Sequence, residues 1–159
     1  MKKIFIGSDK SGFSLKETVK ADLLAQNYEI EDIGTLDEEK PFPFFEIAEK
    51  GAKLIQAGTY KQGILICGTG MGMSIVANKH EGVYGAACES VYTAEKARAI
   101  NDANILCMGG WIIAPILGTE MANRFLSTSF TQNLEDWRAK NLEKAKVIVR
   151  DIEKKSFHK

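Results

Sequence analysis

The sequence predicts an α/β protein, a parallel and doubly wound sheet with helices on both faces. Three observations predict it. Short runs rich in β-branched residues alternate with longer segments of helical period. The run "QGILIC" ends in unbroken apolar character, as expected of a strand buried on both faces. No repeat, low-complexity tract or interdomain linker interrupts the alternation, so successive strands return to one sheet through helical crossovers. At 159 residues the chain suits one domain with a sizeable core.

"KKIFIGS" reads as the first strand, followed by a helix over "FSLKETVKADLLAQN" with Leu15, Val19, Leu23 and Leu24 at helical spacing. "YEIEDIG" is the second strand. "PFPFF" is expected to be a loop, because Pro41 and Pro43 block regular pairing. "EIAEKGAKLIQAG" follows as a helix ending at Gly58. After "QGILIC", the segments "MSIVANKH", "VYGAAC", "YTAEKARAINDA" and "NILCMGG" continue the alternation, and two helices close the chain, from Pro115 to about Ser127 and from Leu134 to Lys155. Ligands of such sheets bind beyond the carboxyl ends of the strands. The residues to examine are therefore Ser8-Asp9-Lys10, Gly34-Thr35, Cys67-Gly68-Thr69, Glu89-Ser90 and Gly109-Gly110-Trp111.

Composition narrows the classes. Hydrophobic residues make up 45% and charged residues 26%, which argues against disorder. The 21 basic and 21 acidic residues cancel, so no net field draws the chain to nucleic acid or to a membrane, and an anion must be held locally. Cys67, Cys88 and Cys107 form no pairing framework and no CxxC, which favours free thiols in a reducing compartment. The apolar run before Asp9 is short for a signal peptide, and no stretch reaches the roughly 20 apolar residues of a membrane span. The expected location is the cytoplasm.

The segment "ILICGTGMGMS" carries the chemistry. Cys67 ends an apolar strand, and Gly68, Gly70 and Gly72 then strip every second side chain from the loop. Glycines let backbone approach a ligand closely, and successive amides favour negative charge, including a thiolate. The plain alternative is a buried cysteine beside a tight turn. A dinucleotide fingerprint needs G-x-G-x-x-G, whereas the spacing here is G-x-G-x-G. A cysteine phosphatase needs a guanidinium in the same loop, and none follows Cys67. The third chemistry such a loop could serve is proton abstraction beside a carbonyl, with a thiolate as base and amides stabilising the enediolate oxygen.

"GSDKSGFSLK", "CGTGMGMSIVANK" and "NDANILCMGG" resemble the three signature segments of the type B ribose-5-phosphate isomerase and galactose-6-phosphate isomerase family, over residues 1 to about 130. The resemblance implies a Rossmann-like three-layer α/β/α sandwich with a mostly parallel five-stranded sheet and a C-terminal helix. It implies one isomerase domain over residues 1–159, with 132–159 as the C-terminal helix and dimer contact. It further implies no metal and no cofactor, a phosphorylated sugar as substrate, and a homodimer or tetramer whose active sites lie across the subunit boundary. In that family aldose and ketose phosphates interconvert through a cis-enediolate. By the same resemblance Cys67 is the base, Thr69 assists proton movement at the sugar oxygens, and Asp9 contacts the sugar hydroxyls. The amides of Gly68, Gly70, Met71, Gly72 and Ser74 match the anion hole. Asn101 reaches the site from the partner subunit, and Lys10 and Arg138 stand where phosphate is bound.

Departures from the family pattern are as informative. Typical members carry histidine where this chain has Lys10 and again where it has Ile100, the second being implicated in opening the furanose ring. Trp111 and Leu134 stand near positions usually held by phosphate-binding arginines, and the only histidines, His80 and His158, match neither site position. Isoleucine cannot shuttle a proton. A four-carbon sugar phosphate, blocked at its terminal oxygen, cannot close a furanose ring, so it joins the ribose 5-phosphate and galactose 6-phosphate types as a candidate substrate. The alternative is a non-catalytic helper subunit of a hetero-oligomeric isomerase. Each site residue also has a bland reading: Asp9 as a helix cap, Thr69 as a turn hydroxyl, Asn101 as a turn cap, and Lys10 and Arg138 as solvated cations. Trp111 reads as a dimer anchor or as a wall that shortens the pocket, and Cys88 and Cys107 read as core.

Overall fold

The computed structural model describes residues 2–158. Its elements alternate as expected: β1 (Lys3–Ser8), α1 (Phe13–Ala25), β2 (Glu29–Asp32), α2 (Phe44–Gln56), β3 (Gly63–Cys67), α3 (Met71–Ala77), β4 (Gly85–Ala87), α4 (Val91–Ala99), β5 (Ile105–Gly109), α5 (Pro115–Ser127) and α6 (Asp136–Phe157). The strand order is β2-β1-β3-β5-β4 and every pairing is parallel. β3, read from its apolar run as buried on both faces, is buried at all positions, and so is β5.

Because strand side chains alternate between faces, the apolar runs feed two separate cores. Ile4, Ile6, Ile64, Ile66, Leu106 and Met108 face a layer that includes Val19 and Leu23 of α1 and Phe125 of α5. Phe5, Leu65, Cys67, Ile105 and Cys107 face the opposite layer, with Ala48 and Ala52 of α2 and Met73 of α3. The chain steps outward from β1 to β2 and then returns past β1 to begin β3. The β1/β3 boundary is therefore the switch point at which such sheets open a crevice. Asp9 follows one of these strands and Cys67 ends the other.

Several boundaries differ from the sequence expectation. The last helix runs over Asp136–Phe157, not from Leu134 to Lys155 or over the whole of 132–159. Two others have a plain physical reason. α2 begins at Phe44, inside the segment expected to be a loop: Pro43 takes an extended N-cap conformation, and its missing N–H costs nothing at a helix start. β4 is reduced to three residues, the following Cys88 continuing only through its N–H to the Cys107 carbonyl. Gly58 closes α2 as foreseen, at φ +70 just past the C-cap. α6 buries none of its residues, and no helix is long and apolar enough to cross a membrane among the described residues.

Candidate active site

Cys67 is the last residue of β3, paired with Gly109 of β5. Its Sγ accepts a hydrogen bond from the Gly70 amide at 3.1 Å, so the loop does turn a backbone N–H onto the sulfur. The residue is 5% exposed and shares the apolar cluster of Leu65 and Met73. The thiol thus forms a floor beneath the glycine loop. The other two thiols are plain core: burial pushes Cys88 up, and burial with Cys67 and Cys88 nearby pushes Cys107 well up.

Each glycine of the loop has a reason in the fold. A Cβ on Gly68 would stand 2.8 Å from Cδ2, Cε2 and Cε3 of Trp111, and one on Gly72 would stand 2.8 Å from Cε2 of Phe44. Gly70 has φ +77 and presses on the backbone of Met108. Sequence reasoning took these glycines as room for a ligand; two of them make room for aromatic rings. Gly110 donates to the Cys67 carbonyl at 2.7 Å and Trp111 to the Gly68 carbonyl at 3.0 Å, which ties the end of β5 to the loop.

Around this floor the structure gathers most of the expected residues. Asp9, half-buried, follows β1, and its Oδ1 accepts from the Gly12 amide at 3.0 Å. Burial raises its carboxyl above the ordinary range, against the lowering by the Gly12 and Ser11 amides. Lys10 lies exposed beside it. Thr69 Oγ1 accepts from the Met71 amide at 3.3 Å. The amides of Gly72 and Met73 open α3 ahead of its first i→i−4 bond, from Ser74 to Gly70. Ser74 is committed to the fold through both donors: its N–H goes to Gly70 and its hydroxyl to the Gly85 carbonyl at 2.8 Å.

Asn101 and Arg138 do not join them. α4 descends from the carboxyl end of β4 to the amino end of β5, so Asn101 lies at the opposite end of the sheet from Cys67. There Ile100 and Asn101 line a 240 Å³ apolar cavity against Phe130 and the α6 residues Leu142 and Val149. α6 bonds to the same end through Lys146 to Asp102 and Glu153 to Tyr84, and Arg138 is exposed on its first turn. Clefts of 630 and 650 Å³ lie against α6 and beside Tyr28, neither of them lined by the thiol. No cluster of three or more His, Cys, Asp or Glu suited to a metal ion occurs among the described residues.

Sequence reasoning missed Lys16. It is fully buried, with Nζ 2.7 Å from Asp32 Oδ2 and bonded also to the Thr35 carbonyl. Thr35 in turn donates to the Ser8 carbonyl and accepts from the Phe42 amide. The Lys16 ammonium thus ties α1 to the end of β2 and the loop after it, with Lys20 Nζ on the same Asp32 oxygen at 2.7 Å. The Thr35 amide ties that loop to the end of β1. The signal was present, since Lys16 falls beside Leu15 and Val19 on the apolar stripe of α1.

Known proteins resemble this chain in sequence and fold. A family described as Ribose/Galactose Isomerase matches residues 4–142. A 4-deoxy-4-sulfo-D-erythrose isomerase from Clostridium sp. (strain MSTE9) is 64% identical over 157 residues, 99% of each chain. A ribose-5-P isomerase B from Listeria innocua is 42% identical over 129 residues, 81% of this chain and 86% of that one. Among solved structures, the ribose-5-phosphate isomerase B of Clostridium thermocellum superposes with TM-score 0.81 at 33% identity, over 94% of this chain and 99% of that one.

Proposed function

The chain belongs to the ribose/galactose isomerase family, and from that premise we propose that it interconverts the aldose and ketose forms of a four-carbon sugar ending in a sulfonate, with Cys67 as the base. The observation that carries the substrate is the 64% identity, across nearly the whole of both chains, to a protein named for 4-deoxy-4-sulfo-D-erythrose. The chemistry of Ile100 supports it. A sugar with sulfur in place of oxygen on C4 has no hydroxyl to close a furanose ring, so it reaches the enzyme open-chain. A group that assists ring opening is then unnecessary, and an isoleucine suffices at position 100. A sulfonate also carries one negative charge where a phosphate carries up to two, in keeping with a site that has Trp111 and Leu134 and keeps few cations.

The Cys67 thiolate takes the C2 proton of the aldose. The electron pair of that C–H bond becomes the C1=C2 bond, and the carbonyl pair moves onto O1. Transfer of the O2 proton to O1, assisted by the Thr69 hydroxyl, and return of a proton to C1 give the ketose. Loop amides stabilise the oxygen charge of the enediolate, and Asp9 orients the sugar hydroxyls. Asn101 and Arg138, at the far end of the sheet within one chain, reach the site from a second copy, Arg138 toward the terminal anion.

The test is proton exchange in heavy water with 4-deoxy-4-sulfoerythrose, followed by NMR. Deuterium is expected at C1 of the ketose or C2 of the aldose, and Cys67→Ala is expected to slow its entry roughly 10²- to 10⁴-fold. Binding of the sugar with no exchange in the wild type would overturn the isomerase reading and favour a helper subunit.

A further inference from the structure

Trp111 is the least explained residue of the site. It is 74% exposed, yet its backbone is fixed: its own N–H goes to Gly68, the preceding one goes to Cys67, and Ile112 and Ile113 both donate to the Gly109 carbonyl. Its ring rests on the loop. A Cβ built on Gly68 lies at the same 2.8 Å from Cδ2, Cε2 and Cε3, three consecutive atoms of the six-membered ring. A point equidistant from three such atoms lies on the ring's axis. The indole therefore lies flat over Gly68, directly after the catalytic cysteine, with the rest of its surface uncovered. Phe44 covers Gly72 at the other end of the loop.

From this geometry we propose that Trp111 is the chain-length determinant of the site: an aromatic wall packed on Gly68, the residue after Cys67, that admits a short four-carbon sugar and excludes longer ones. The inference rests on the isomerase reading and deepens it. A substrate whose C1 and C2 must reach Sγ can extend only along the space the ring leaves. Each further carbon adds a bond of about 1.5 Å, and the tied strand end behind the indole holds its backbone in place. The flat face suits the C–H edges of a short chain, whereas a flexible side chain at this position would fold aside.

Erythrulose 4-phosphate and ribulose 5-phosphate share a ketose end and a terminal group and differ by one CHOH unit. The change in the ratio of their kcat/KM values between wild type and variant therefore reads how the site accommodates that unit. One additional carbon in a pocket of fixed size is worth roughly 10- to 200-fold in such a ratio. The wild type is expected to favour the four-carbon sugar by that order. Trp111→Ala is expected to raise the five-to-four-carbon ratio at least about tenfold, and Trp111→Phe, which keeps a ring over Gly68, to raise it less. A ratio unchanged in Trp111→Ala overturns the inference even if both rates fall together, because the indole then serves only folding or a subunit contact. Absence of Cys67-dependent turnover of any sugar by the wild type overturns the isomerase reading itself, a separate and distinguishable failure.

Discussion

Asp9 is held by two influences that oppose each other. Burial disfavours its charge and raises its carboxyl, while the amide of Gly12 donates to Oδ1 and that of Ser11 adds to the lowering. The sign of the pH effect follows. With the folded value above the unfolded one, the folded state binds more protons between them, so stability is present at acid pH and falls as pH rises through the folded value. Asp9→Asn keeps an oxygen for Gly12 and removes the buried charge. Its melting temperature at pH 7 is expected to equal or exceed the wild type's, and the difference should shrink below the ordinary carboxylate range, while turnover falls. Asp9→Ala leaves the Gly12 N–H without its acceptor and is expected to cost about 1 kcal/mol. Thermal melts of the two variants across pH check this; a destabilised Asp9→Asn at pH 7 would show that the carboxylate is a structural anchor instead.

Among the elements, α1 is tied to the end of β2 by two lysines, Lys16 and Lys20. Lys16 holds Asp32 at the end of β2 and the Thr35 carbonyl from a fully buried position. Lys20 Nζ also lies 2.7 Å from Asp32 Oδ2, so Lys16→Ala leaves that carboxylate one cation and is expected to lower stability by about 1.5–3 kcal/mol in urea titration. Lys16→Met, which keeps the volume but not the charge, separates packing from pairing: a loss of similar size assigns the effect to the ion pair. The sequence made the sheet readable because β3 and β5 are apolar at every buried position and the helices are amphipathic between them. It could not reveal the Lys16 contact, which joins residues sixteen apart in sequence and needs the register of β1 with β2 to exist. Nor could it separate the two uses of glycine. Gly68 and Gly72 look like phosphate-loop residues in one dimension, and only the return of Trp111 and Phe44 in three dimensions shows what fills the space. The start of α2 was misplaced for a local reason: Pro43 reads as a breaker, but at an N-cap it starts the helix.

Across the whole molecule, Cys67 and Asn101 stand at opposite ends of the sheet, and the five residues of β3 alone span about 17 Å. Side-chain motion cannot close that gap, so a site using both residues needs two chains. α6 has a surface suited to bringing a second copy: Lys146 and Glu153 bind it to the body while Trp137, Ile148 and Ile152 remain exposed. A two-fold dimer makes the exchange reciprocal, each chain giving its thiol to one site and its Asn101 to the other. This arrangement has a quantitative signature. Cys67→Ala and Asn101→Ala are each expected to remove most activity as pure dimers. Mixed in equal amounts by co-expression or by unfolding and refolding together, half of the dimers are heterodimers, and each of those has one site carrying both substitutions and one carrying neither. Recovered activity is then expected at roughly a quarter of the wild type's. Sites built within one chain recover nothing on mixing, because every chain carries a defect; a silent mixture that sedimentation shows to contain heterodimers would therefore sink the shared site.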